Sequence, residues 1–135
     1  MVSQKEIKLP QFNRGYHIIT DLINKELELP EKGILHLFIM HTSAALTINE
    51  NYDPTVISDF NDFFNKLVPD NPILYKHNDE GPDDMPAHIK ASLIGSSVTI
   101  PISNRKLKLG TWQGIYFCEF RNGVRTRKIT ASIIS

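Results

Sequence analysis

One cysteine, Cys118, is the entire thiol content of these 135 residues. No internal disulfide can form, and a structural zinc site built on cysteines is excluded. Charge of one sign is missing too: 15 Lys and Arg balance 15 Asp and Glu, so no global field draws nucleic acid or an anionic membrane. No apolar run approaches bilayer length, and Met1-Val-Ser-Gln-Lys-Glu lacks the apolar centre of a secretory signal. Internal repeats, low-complexity tracts and linkers are absent, as are the G-x-S-x-G elbow, the P-loop, the Rossmann glycine fingerprint and H-E-x-x-H. What is left is a single domain over residues 1–135, cytoplasmic, with no nucleic-acid or membrane partner. A chain of this length, 41% hydrophobic, buries a core without metal or disulfide staples.

The stretch His77 to His88 (H-N-D-E-G-P-D-D-M-P-A-H) stands out. It carries ligand-type side chains with no apolar periodicity before Pro86, which predicts a loop, and binding residues gather on loops held by a rigid scaffold. An acidic surface loop with incidental histidines has the same composition, so the surrounding elements must decide. Gln4 to Pro10 and Gly15 to Thr20 read as strands joined in a hairpin through Asn13 and Arg14. Asp21 to Leu27 reads as a short helix. Gly33 to Met40 is the most apolar run and predicts a central strand buried on both faces. Ala44 to Ile48 resumes as another. Asp53-Pro54 is a helix start, an N-cap aspartate followed by proline at the first helical position. Val56, Ile57, Phe60, Phe63, Phe64 and Leu67 then form one face.

Pro86 is expected to open a second helix capped by Asp84 and ended by Gly95, with His88 in its first turn and Lys90 near enough to meet an anionic substrate. Ser97 to Ile102, Trp112 to Phe120 and Arg125 to Ile134 read as strands. The middle one is apolar on both faces, as in a strand between layers. Cys118 within it has no adjacent positive charge and is expected to be a buried, inert thiol. His17 and His36 sit among apolar neighbours and are assigned structural roles.

His41 remains, directly after the central strand, with His77 in the loop and His88 at the second helix. Three imidazoles from separate elements are the ligand count of a zinc site that keeps one position open. The spacing itself is not a local metal motif.

Three blocks carry a resemblance: H-T-S-A-A-L-T-I-N-E-N-Y-D-P from His41, G-P-D-D-M-P-A-H-I-K-A-S-L from Gly81, and L-G-T-W-Q-G-I-Y-F-C-E-F-R from Leu109. The chain resembles the YjbQ family of small bacterial and archaeal proteins along nearly its whole length. Asn104-Arg105 departs from the Asn-Gly common in that family, which affects one hairpin turn. The resemblance implies an α+β fold of two packed, mainly antiparallel β-sheets (β-sandwich-like) with two helices, assembled as a homotrimer. It implies a metal on His41, His77 and His88, and a thiamine-phosphate synthase activity joining an aminopyrimidine diphosphate to a thiazole phosphate. In that scheme Glu50 is a proton acceptor or a partner of a metal ligand, Asn49 and Gln113 orient a small phosphorylated substrate, and Arg121 meets phosphate. Three histidines suit zinc, whereas diphosphate chemistry calls for magnesium and oxygen ligands, for which Glu50, Asp59, Asp79 and Asp84 are candidates. Two alternatives therefore stand beside the synthase. One is a zinc-dependent hydrolase of an ester or phosphoester; the other is a trimer that binds a small ligand without catalysis.

Overall fold

The computed structural model describes residues 1–135. Strands β1 (Val2–Lys8), β2 (Gly15–Ile18), β3 (Lys32–Ile39), β4 (Ala44–Glu50), β5 (Ser97–Ser103), β6 (Lys106–Leu107), β7 (Gln113–Glu119) and β8 (Lys128–Ile134) form two sheets. One has five strands in the order β1-β8-β3-β5-β6, and the other three in the order β2-β7-β4. All pairings are antiparallel. Helices α1 (Thr20–Glu26), α2 (Pro54–Leu67) and α3 (Asp84–Ile94) complete the fold, with a single 3-10 turn at Pro72–Leu74. The architecture is α+β, as expected, and no helix is long and apolar enough to cross a membrane.

The core lies between the sheets, where Ile7, Leu35, Leu37, Ile39, Leu46, Ile100, Ile115, Phe117 and Ile129 are almost fully enclosed. Strand alternation explains the set: residues two apart share a face. β3 is central, as its apolar run predicts, but it is buried on one face only. Leu35, Leu37 and Ile39 point inward while Ile34 and Phe38 remain 43% and 44% exposed on the outer face. A second cluster, with Tyr16, Ala45, Ala87, Ala91, Tyr116, Cys118 and Phe120, packs beneath α2 and α3 on the far side of the smaller sheet. β7 is therefore covered on both faces, and its buried thiol Cys118 is pushed up in pKa by that burial.

Three expectations need correction. β1 and β2 do not form a hairpin: β1 pairs with β8 and β2 with β7, because their apolar positions face the core from opposite sheets. The last strand begins at Lys128, not Arg125, which makes only an isolated bridge to Phe12. α3 starts two residues before Pro86, so Asp83 occupies the N-cap position and Asp84 the first helical one; proline is tolerated throughout a helix's first turn. At Asn104-Arg105 the departure from Asn-Gly is accommodated with both residues at positive φ, 52° and 62°.

One buried ion pair ties the ends of β7 and β8 together. Arg127 grips Glu119 through Nε at 2.8 Å and Nη2 at 2.6 Å, and Nη2 also donates to the Ser43 hydroxyl at 2.9 Å. Both side chains are enclosed, so removing one partner strands a charge in low dielectric. Arg127→Ala is expected to cost about 3–5 kcal/mol in urea unfolding. A loss below about 1 kcal/mol would mean that the pair is solvated.

Candidate metal centre

α3 begins with two acids that its own N-terminus favours electrostatically. Asp84 and His88 are four residues apart on one face of the helix. His77 approaches from the preceding loop, which is braced by Asn78 Nδ2 donating to the carbonyls of Pro72 and Tyr75, at 3.1 and 2.7 Å. The result is a compact cluster. His77 Nε2 lies 2.8 Å from Asp84 Oδ2, and His88 Nε2 lies 3.3 Å from the same oxygen. One ligand atom from each of the three residues falls within 4.8 Å of the others.

The other carboxylate oxygen, Asp84 Oδ1, accepts from Arg121 Nη1 at 2.8 Å. Arg121 Nε meets Asp83 Oδ2 at 2.9 Å, and Nη2 donates to the Glu80 carbonyl at 2.9 Å. Burial would raise the Asp84 carboxyl, but the His77 hydrogen bond and the Arg121 charge outweigh it and hold the group below the ordinary carboxylate range. Asp83 behaves alike: burial raises it, and hydrogen bonds from the Asn122 N–H and Arg121 bring it down.

His88 fixes the chemistry of the cluster. Its Nδ1 lies 3.0 Å from the Thr42 carbonyl, which can only accept, so Nδ1 carries the proton. Its Nε2 faces a carboxylate oxygen 3.3 Å away. A proton or a metal cation between the two satisfies both atoms. A ring N–H committed to a backbone carbonyl with the other nitrogen free is the arrangement that orients metal-binding histidines. The donor set of two imidazoles and one carboxylate suits zinc or a similar transition metal and is too nitrogen-rich for magnesium.

The remaining residues expected at the site are dispersed. His41 shares an open cleft of about 570 Å³ with Thr42, His88, Ser92 and Ser96, but it is outside the cluster. Its Nε2 accepts from the Lys128 backbone N–H at 2.9 Å, so Nδ1 holds the proton. Burial, assisted by Arg127, lowers its pKa and keeps it neutral. Glu50, Asn49 and Gln113 sit at the opposite end of the smaller sheet. Register pairs Glu50 with Gln113 and Ala44 with Glu119, which puts these groups about 20 Å along the strands from the histidine end. There Glu50 accepts from the Asp53 N–H at 3.2 Å, Asn49 from the Glu50 N–H at 2.8 Å, and Gln113 from the Gly110 N–H at 2.7 Å. Arg121 is at the site, but as the clamp on two carboxylates rather than as a free phosphate binder. Lys90 points away from the cleft, enclosed, and donates to Asn65 Oδ1 at 2.7 Å. His17 and His36 make local bonds to the Asn13 carbonyl and the Thr99 hydroxyl.

Asp84 was expected as a helix cap and as one of four possible oxygen ligands, but not as the partner of the two histidines. Its signal was the Asp-x-x-x-His spacing, visible once the helix is started at Asp84 instead of Pro86.

Fold and cluster together define a small α+β sandwich with two histidines and a carboxylate gathered at a helix N-terminus. The chain belongs to the YjbQ family: the family model described as UPF0047 protein YjbQ-like matches residues 5–135. It is 50% identical over 133 residues to UPF0047 protein YjbQ of Salmonella typhimurium, covering 96% of each chain. It is 44% identical over 111 residues to UPF0047 protein YugU of Bacillus subtilis, covering 78% of this chain and 81% of the relative. A crystal structure of an uncharacterised YjbQ/UPF0047 protein from Clostridium acetobutylicum superposes with a TM-score of 0.78 at 41% identity, over 98% of this chain and 99% of that one. A Sulfolobus solfataricus protein of unknown function superposes with a TM-score of 0.84 at 26% identity, over 100% and 98%.

The depressed Asp83 carboxyl makes a pH prediction. Its folded pKa lies below the ordinary 3.8, so its contribution is complete above that value and disappears as pH falls through the folded one. In chelator-treated protein, Asp83→Asn should lower stability by about 2 kcal/mol. That difference should hold steady from about pH 7 to about pH 5 and shrink below the unfolded carboxylate pKa. A difference that grows on acidification contradicts the assignment.

Proposed function

We propose that this protein is a metal-dependent enzyme that acts on a small ester or phosphoester, with His77, Asp84 and His88 as the metal ligands. The carrying observation is the convergence of His77 Nε2 and His88 Nε2 on one oxygen of the buried Asp84 carboxylate, with the His88 ring oriented by the Thr42 carbonyl. A divalent transition metal supplies Lewis acidity toward a phosphoryl or carbonyl oxygen. The chain's own residues do the rest. Arg121 holds Asp84 in one orientation, His41 lines the cleft as a neutral imidazole, and Thr42, Ser92 and Ser96 offer hydroxyls to a substrate oxygen.

The thiamine-phosphate synthase reaction is ranked second on electrostatic grounds. Its leaving diphosphate needs fixed positive charge, yet no Lys or Arg lines the cleft and Arg121 is already bonded to Asp83 and Asp84. We further propose that the protein is cytoplasmic and works as a homotrimer. Partly exposed Ile34, Phe38, Met40 and Ile134 supply apolar surface for association.

Purified without a polyhistidine tag, the wild type is expected to hold about one zinc or similar ion per chain, and Asp84→Asn about a tenth of that or less. Hydrolysis of small aryl esters and phosphoesters should fall about 100-fold on chelation and return with zinc. Condensation without hydrolysis would promote the synthase instead. Metal-free wild type that turns over at full rate would overturn the proposal.

A further inference from the structure

α2 lies across the three-stranded sheet without burying any residue completely. Ile57, Phe60 and Phe64 are its partly buried contacts with the cluster beneath. A gap of about 250 Å³ remains between α2, α3 and the sheet. Phe60 and Phe64 wall it from α2, Leu93 and Ile94 from the end of α3, and Tyr16, Thr47 and Asn49 reach it from β2 and β4. No residue lining this gap lines the histidine cleft. Thr47 is three residues along β4 from Ala44, which does line that cleft, a distance of about 10 Å.

The polar groups of the gap have hydrogen-bonding capacity left over. Tyr16 is 7% exposed, with its ring packed against Phe60, Phe64 and Phe120 at centroid distances of 6.0, 6.5 and 5.9 Å. Its hydroxyl makes no hydrogen bond within the chain. That hydroxyl is not completely enclosed, and Tyr16 is one of the residues that line the gap. Asn49 Oδ1 is fixed by the Glu50 N–H at 2.8 Å, which leaves its Nδ2 donors free. The Thr47 hydroxyl is free as well. An apolar pocket with a few convergent polar groups is the usual form of a small-molecule site.

We propose that this gap is a second ligand site, for a small, planar, uncharged ring bearing hydrogen-bond acceptors. Aromatic walls favour a ring face. A volume below that of a drug-sized pocket admits one ring and its substituents. No charged side chain lines the gap, and an ion there would be desolvated without a counter-charge. Two hydroxyls and an amide NH2 all donate, which calls for acceptors on the ligand. Burial keeps the Tyr16 phenol protonated and able to donate.

The site is tested with nicotinamide and phenol as probes, followed by NMR of the Leu93 and Ile94 methyl groups, with cyclohexanol as the non-planar control. Both rings should give saturable shifts with Kd on the order of 1 mM, unaffected by chelation of the metal. Tyr16→Phe should weaken binding about three- to tenfold. Leu93 is 57% exposed, so Leu93→Trp is expected to leave the fold and zinc content unchanged while closing the gap and abolishing the shifts of the remaining reporter, the Ile94 methyls. No saturation with either ring up to about 20 mM, an equal response to cyclohexanol, or indifference to both substitutions would overturn the site. So would methyl shifts that follow protein concentration alone, since a second copy would then fill the gap.

Discussion

A carboxylate enclosed at a helix N-terminus cannot stay ionised without partners, and Asp84 is enclosed. Its charge is kept by Arg121 on one oxygen and by two imidazoles on the other. That single requirement fixes the relative positions of the His77 loop, the first turn of α3 and the end of β7. The same corner is tied to the larger sheet by a second buried charge pair. Glu119 accepts from Arg127 and from the Arg121 backbone N–H, and Arg127 holds Ser43 in the segment whose Thr42 carbonyl orients His88. The cluster is thus seated on rigid elements, which is what a metal centre needs to keep its ligand geometry.

The smaller sheet has two chemically different ends. At one, His41, Thr42 and His88 line an open cleft that no Lys or Arg lines, with Asp84 buried beside His88. At the other, Glu50, Asn51 and Gln113 organise the turns that lead into α2 and β7, while Tyr52 and Trp112 stack edge to face at 5.3 Å on the surface. Carboxylate and amide side chains there are held by backbone groups of their own loops. This division is why the cluster is read as a Lewis-acid centre first and as a diphosphate-releasing site second.

Much of the fold was legible because local rules and packing agree. Asp53 caps α2 by accepting from the Thr55 N–H at 2.9 Å, as the Asp-Pro pair announces. The two-faced apolar pattern of β7 reflects a strand between the core and the helices. The pairing of β1 and β2 was not legible, since Asn13-Arg14 has turn chemistry and only the choice of sheet separates the two strands. Two of the three expected metal ligands, His77 and His88, come together around Asp84. His41 is near but committed to Lys128, a contact 87 residues away in the chain that spacing cannot reveal. Arg121 stood out as one of three arginines around the Asn122-Gly123 turn, and its actual partners were hidden because they come from the α3 start, 37 and 38 residues earlier.

The central claim is that one cation belongs between His77, Asp84 and His88. Anomalous diffraction at the zinc edge, from crystals grown with zinc, tests it most directly. The account predicts one strong peak about 2.0–2.2 Å from His77 Nε2, Asp84 Oδ2 and His88 Nε2. A cluster without a peak, or a peak coordinated by His41 in place of Asp84, would contradict it.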